Sequence, residues 1–231
     1  MKYSLTLAIF SLFAGHISIA QEGRTLRVKA GEDAAQAYSP HGFYRFPQFT
    51  RANVYLKGGV RNSGILFNYN ILSGNMQFIA PKGDTLDVGN PLAIDSIVFE
   101  NHVFVYHEGF AEVIARADSI KLLRKLVLRT TAENVGAYGL SNTTGSITNY
   151  KSFAAESSAY NLVVNQNIVL TEDISWYFAG PGGLPLKANR ANLLKLLPGD
   201  KQVKAESYLR KNKHSFEQEN DLKSLLQAIR T

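Results

Sequence analysis

Residues 94–129 read IDSIVFENHVFVYHEGFAEVIARADSIKLLRKLVLR. Short runs rich in Ile, Val, Phe and Tyr are broken by Glu100-Asn101, His107-Glu108-Gly109 and Asp118-Ser119. β-branched and aromatic side chains suit a pleated, half-buried surface. Breaks of two or three residues carrying Gly, Asn or Asp are hairpin turns. The pattern predicts antiparallel strands over residues 94–99, 102–107 and 110–115. Residues 119–131 admit two readings. As a helix, Asp118 caps it and Ile120, Leu123 and Val127 line one face. As a strand, Ile120, Leu122, Leu126 and Leu128 share one face, and Lys121, Lys125 and Arg129 the other. The alternation covers more positions, so a long strand is expected.

Upstream, the same logic predicts strands over residues 25–29, 53–57, 64–70, 76–80 and 85–88. Pro40 and Pro47 hold residues 40–49 extended. Phe43, Tyr44, Phe46 and Phe49 within that segment are expected to clamp it across a β core. Downstream, residues 133–149 are rich in Gly, Ser, Thr and Asn and read as a long loop. Strands resume over 160–164 and 167–178, with Trp176 and Phe178 inward and Tyr177 outward. Gly180-Pro181-Gly182-Gly183 is a turn, and 184–186 is a possible last strand.

The periodicity then changes. Asn189 can cap a helix carrying Leu193, Leu196 and Leu197, stopped by Pro198-Gly199. Asp200 can cap a second, through about residue 211. Leu222, Leu225, Leu226 and Ile229 make the amphipathic stripe of a third. The expected fold is α+β: an antiparallel β-rich domain over residues 21–186, as a sheet or partly open barrel, followed by a helical tail over 187–231.

The chain has 231 residues, a formal net charge of +6 and no cysteine. Lys2, the apolar run 5–13 and the small residues of Ser18-Ile19-Ala20 form a cleavable export signal, with cleavage expected between Ala20 and Gln21. Export disfavours nucleic acid as a partner, and Gln21 rather than cysteine after the cleavage site argues against a lipid anchor. No later run is long enough to span a bilayer. Residues 21–186 are charge-neutral, so the basic excess of the mature chain sits in residues 187–231. An anionic envelope partner is expected to meet that tail.

The order of these elements resembles a group of exported β-rich proteins of Gram-negative bacteria, of the Bacteroidota type. The resemblance rests on residues 46–50 (Phe-Pro-Gln-Phe-Thr), Asn68-Tyr69-Asn70, Gly83-Asp84-Thr85-Leu86, Gly136-Ala137-Tyr138-Gly139 and tail positions 193–198, 200–201, 208–209 and 221–222. That group has no assigned activity, so the resemblance implies periplasm or cell surface and no mechanism. Asp-Ser/Thr-aliphatic triplets similar to the O-glycosylation acceptors of such bacteria occur at Thr85, Ser96 and Ser119. The same triplets are ordinary turn chemistry.

Candidate chemistry is sparse. His102, His107 and Glu108 make the nearest approach to a metal cluster. Positions five apart on a strand face opposite ways, so convergence would need a bulge or turn. Asp95, Glu100, Glu108 and Glu112 are carboxylates in the β region, with no local feature that pairs two of them. No Gly-x-Ser-x-Gly elbow or phosphate loop occurs. Trp176 with Tyr177 and Phe178 is a sugar-stacking platform or, by alternation, core. These observations assign no catalytic, metal or cofactor-binding residue. They favour a non-enzymatic binding module, with an envelope glycan hydrolase and a carrier of an apolar ligand as alternatives.

Overall fold

Strand after strand pairs antiparallel, most of them across short turns and three pairs across longer connections. In the computed structural model, which describes residues 23–135, 141–142 and 162–230, the strands are β1 (Thr25–Val28), β2 (Thr50–Leu56), β3 (Arg61–Asn70), β4 (Asn75–Ile79), β5 (Thr85–Asp87), β6 (Ile94–Phe99), β7 (His102–Tyr106), β8 (Phe110–Ala117), β9 (Ile120–Ala132), β10 (Asn134–Val135), β11 (Ser141–Asn142), β12 (Ile168–Ala179) and β13 (Leu186–Lys187). The helices are α1 (Ala34–Tyr38), α2 (Arg190–Leu196), α3 (Gly199–Lys211) and α4 (Glu219–Arg230). Eleven strands form one sheet in the order β1-β12-β9-β8-β7-β6-β2-β3-β4-β5, with β13 also on β12; β10 and β11 pair separately. The fold is α+β: a large antiparallel sheet, not closed, followed by helices.

Residues 119–131 form the long strand β9, and Asp118 is not a helix cap. It sits in the β8–β9 turn with φ +50°. Residues 160–164 do not form a strand in their described part: Val163 makes a single bridge to Asp33. Residues 184–186 give only the tip of β13, with Leu184 exposed. Of the loop expected over 133–149, residues 134–135 and 141–142 form the small hairpin; residues 136–140 and 143–149, with Ala20 and Gln21, lie outside the described residues. In the tail, Asn189 Oδ1 accepts from Asn192 N at 2.8 Å, as a cap should. Asp200 is not a cap: Pro198 occupies that position with no side-chain bond, and Asp200 lies in the first turn, where its charge complements the helix dipole.

One sheet face carries two cores in a row. On β9, Ile120 and Leu122 join the core under the helices, whereas Leu128 joins the core under the strands, with Leu126 packed beside it. On β12, Trp176 and Phe178 divide from Ile168 and Leu170 in the same way. A register shift between Val113 and Ala115 lets Ala115 and Ala117 of β8 reach the helical core. Leu193, Leu222, Leu225, Leu226 and Ile229 supply its other side. The strand core is filled by the chain's own aromatics: Phe43, Tyr69, Phe104 and Phe110 are fully buried, and Phe46 packs edge-on to Phe99 at 5.0 Å.

The sheet rolls without closing. β8 pairs with β9 only over residues 120–124. Beyond that, the β3–β4 turn occupies the vacated edge: Leu128 N donates to Ile71 O at 2.8 Å, and the Tyr69 hydroxyl donates to Leu126 O at 2.7 Å. Gly74 in this turn has φ +73°, and a Cβ there would meet Val127 at 3.3 Å, so glycine suits both the conformation and the approach.

Candidate functional site

A second gap in the sheet is left open. β12 pairs on its outer edge with β1 over residues 168–171 and with β13 over 177–178. Glu172 N donates to Arg24 O, and Ala188 N donates to Trp176 O. Even-numbered residues of β12 therefore aim their main-chain groups at this edge. Ile174, midway, has no ladder partner there among the described residues. An open groove of about 740 Å³ lies over this gap, in the size range of ligand sites.

The walls of the groove are mixed. Thr171, Glu172 and Ser175 come from β12, Asn189 from the α2 cap, and Phe216 and Glu217 from the α3–α4 link. Trp176 holds that link in place by donating from Nε1 to Glu217 O at 3.1 Å. Glu172 is fixed by the Tyr38 hydroxyl, which donates to Oε1 at 2.7 Å, and by Arg24 N. Burial, with help from the Glu172 bond and charge, pushes the Tyr38 hydroxyl up, so it stays a donor. Asp173, also on the lining, ion-pairs with Arg129. Glu172 and Asp173 are adjacent on a strand and project from opposite faces. They do not form the facing carboxylate pair that glycoside cleavage needs.

A buried charge cluster marks the seam between the two cores. Glu112 of β8 is 7% exposed. Its Oε2 accepts from Arg124 Nη2 at 2.7 Å, and its Oε1 lies 2.6 Å from His102 Nδ1. Arg45, from the extended aromatic segment, reaches Oε2 at 3.8 Å. Arg124 Nη1 also reaches Glu219 Oε2 at 3.4 Å in the first turn of α4. Burial alone would raise the Glu112 carboxyl. The Arg124 and His102 hydrogen bonds, with the charges of Arg124 and Arg45, outweigh it and hold the carboxyl below its ordinary range. The Tyr69 hydroxyl is pushed up by burial and by the Glu112 charge. A carboxylate-oriented histidine has the geometry of a base. Here, however, the His102 ring packs against Phe46 at 4.7 Å and Phe99 at 6.1 Å, and its Nδ1 is taken by Glu112. The cluster joins the sheet, the aromatic segment and α4.

The residues singled out from sequence are dispersed. His107 packs edge-on to Tyr177 at 5.1 Å, away from the Glu112 cluster that takes His102. Glu108 occupies the β7–β8 turn with φ +50°, and its carbonyl accepts from Lys125. No group of three metal-binding side chains occurs among the described residues. Asp95 and Glu100 are exposed. Trp176 and Phe178 are buried, as alternation requires, and Tyr177 is half-buried on the other face. Thr85 is exposed on the terminal strand β5, Ser96 is half-buried within β6, and Ser119 is exposed at the β8–β9 turn.

Sequence reasoning missed both features. The seam had one signal: Arg124 falls on the apolar row of β9, between Leu122 and Leu126, where a charge needs a partner. The groove had none, because it depends on where β1 and β13 stop along a distant strand. No family model, no curated protein and no solved structure matches the chain.

Proposed function

We propose that the protein is a non-enzymatic binding module, exported beyond the inner membrane, and that the open β12 gap is its ligand groove. The observation that carries this reading is the contrast between the two gaps: the chain's own β3–β4 turn plugs one and none of the described residues plugs the other. A filled aromatic core argues against the apolar-ligand carrier.

Hydroxyl, amide and carboxylate groups on the walls, with Phe216 and the edge of Trp176 beneath, suit a polar, hydroxyl-rich ligand such as an envelope glycan segment. Trp176 is the only tryptophan, so its emission reports on the groove directly. Soluble cell-wall glycan fragments are expected to shift that emission saturably. Ser175→Arg is expected to abolish the shift and leave the melting temperature unchanged. Release of new reducing ends during incubation would replace the binding module with a hydrolase. Export is checked on the protein recovered from the native host: the intact mass is expected to begin at Gln21.

A further inference from the structure

The basic excess of the tail is larger at the surface than in the sequence. Between Lys187 and Arg230, Glu206, Glu219 and Asp221 are half-buried, and only Asp200 and Glu217 are exposed. The inward acids are engaged: Glu206 holds Arg190, Glu219 holds Arg124 and Lys223, and Asp221 accepts from Ser215 N. Of the ten lysines and arginines in the same span, nine are exposed, Lys201 being half-buried. Folding has turned the acids in and left the cations out.

Three of these cations meet at one place. Lys201 is ion-paired with Asp118, and Lys204 and Arg230 lie close enough to add to the field on its carboxyl. One exposed carboxylate faces cations from two helices. Lys211 lies seven residues beyond Lys204, two turns along the same side of α3, and extends the patch. Val203, 65% exposed, is the one large apolar side chain exposed on the described tail helices.

That composition selects among anionic partners. The buried centre of a protein–protein interface is apolar and depleted in lysine, and this face is the reverse. A site for a single phosphate needs fixed, buried donors, whereas these are long exposed side chains. A dense, mobile array of negative headgroups fits them, each basic residue raising surface affinity about fivefold. We propose that the α3–α4 face carrying Lys201, Lys204, Lys211 and Arg230 seats the protein peripherally on an anionic phospholipid surface, by charge and without insertion.

The test is co-flotation of the full chain with vesicles of mixed phosphatidylglycerol and phosphatidylcholine, against vesicles of phosphatidylcholine alone. Binding is expected on the anionic vesicles only and is expected to fall at least about tenfold from low to high salt. K204E/R230E is expected to lower it by about tenfold or more, with an unchanged circular dichroism spectrum. If that pair is misfolded, K204Q/K211Q replaces it, with a loss of about twenty-five-fold expected. Equal binding to neutral vesicles overturns the proposal, and so does unchanged binding by a folded variant. Retention on a heparin column without flotation also overturns it, in favour of a soluble polyanion.

Discussion

Glu112 is the residue on which most of the molecule's polar engineering converges. A buried carboxylate with two arginines and a histidine is stable only while its partners stay. Arg124→Met is expected to lower unfolding free energy by about 3 kcal/mol, because Glu112 is left buried with weaker partners. Glu112→Gln is expected to cost less, because Arg124 keeps Glu219 and the glutamine oxygen can still accept from it. The double substitution is expected to cost clearly less than the sum, since neither charge is then left alone. Urea unfolding of the four proteins checks this as a double-mutant cycle. Strictly additive losses would show that the two side chains do not act as a pair.

At the scale of elements, the helical tail is part of the fold's core rather than an attachment. Leu226 of α4 is 2% exposed and packs in the same cluster as Phe178 of β12. Leu226→Ala is expected to cost about 3 kcal/mol, measured by urea unfolding. The loss is expected in a single transition followed by Trp176 emission, because that ring touches both layers. The amphipathic spacing of Leu222, Leu225, Leu226 and Ile229 was legible in the sequence, as were the hairpins, because period and turn chemistry are local. β9 was legible for the same reason, its alternation outrunning the helical reading. The cap assigned to Asp200 was not borne out: Pro198 takes the cap position, one step before a glycine that continues the helix. Of the strand expected over 160–164, the described part, 162–164, makes one bridge. The groove escaped because it joins residues more than a hundred positions apart, and no window holds both sides; His102, Glu112 and Arg124 of the seam lie close in sequence, but which of them face one another depends on strand register.

For the whole molecule, acid is the destabilising direction. The His214 imidazole is held below its ordinary value by burial, opposed by the nearby Asp221 charge. Tyr208 and Phe216 pack against the ring. A lowered histidine means that the unfolded chain takes up the proton first. Stability is complete above about pH 6.5 and begins to fall below it. The Glu112 carboxyl, also lowered, adds a second loss as pH drops below about 4.3 toward its folded value. Urea midpoints are therefore expected to decline modestly from pH 7.5 to 5.5 and more steeply once the pH falls below about 4. His214→Phe is expected to remove the first decline and keep the second. A flat midpoint from pH 7.5 to 3 would contradict both assignments.

The strand order also sets a timetable. β1 is the first strand made, and its neighbour β12 is among the last; Arg24 and Glu172, which meet where the two strands join, stand 148 residues apart in the chain. The sheet's first strand has no partner until most of the polypeptide exists, and such long-range closure is slow. A chain built this way cannot complete its sheet until β12 has been made.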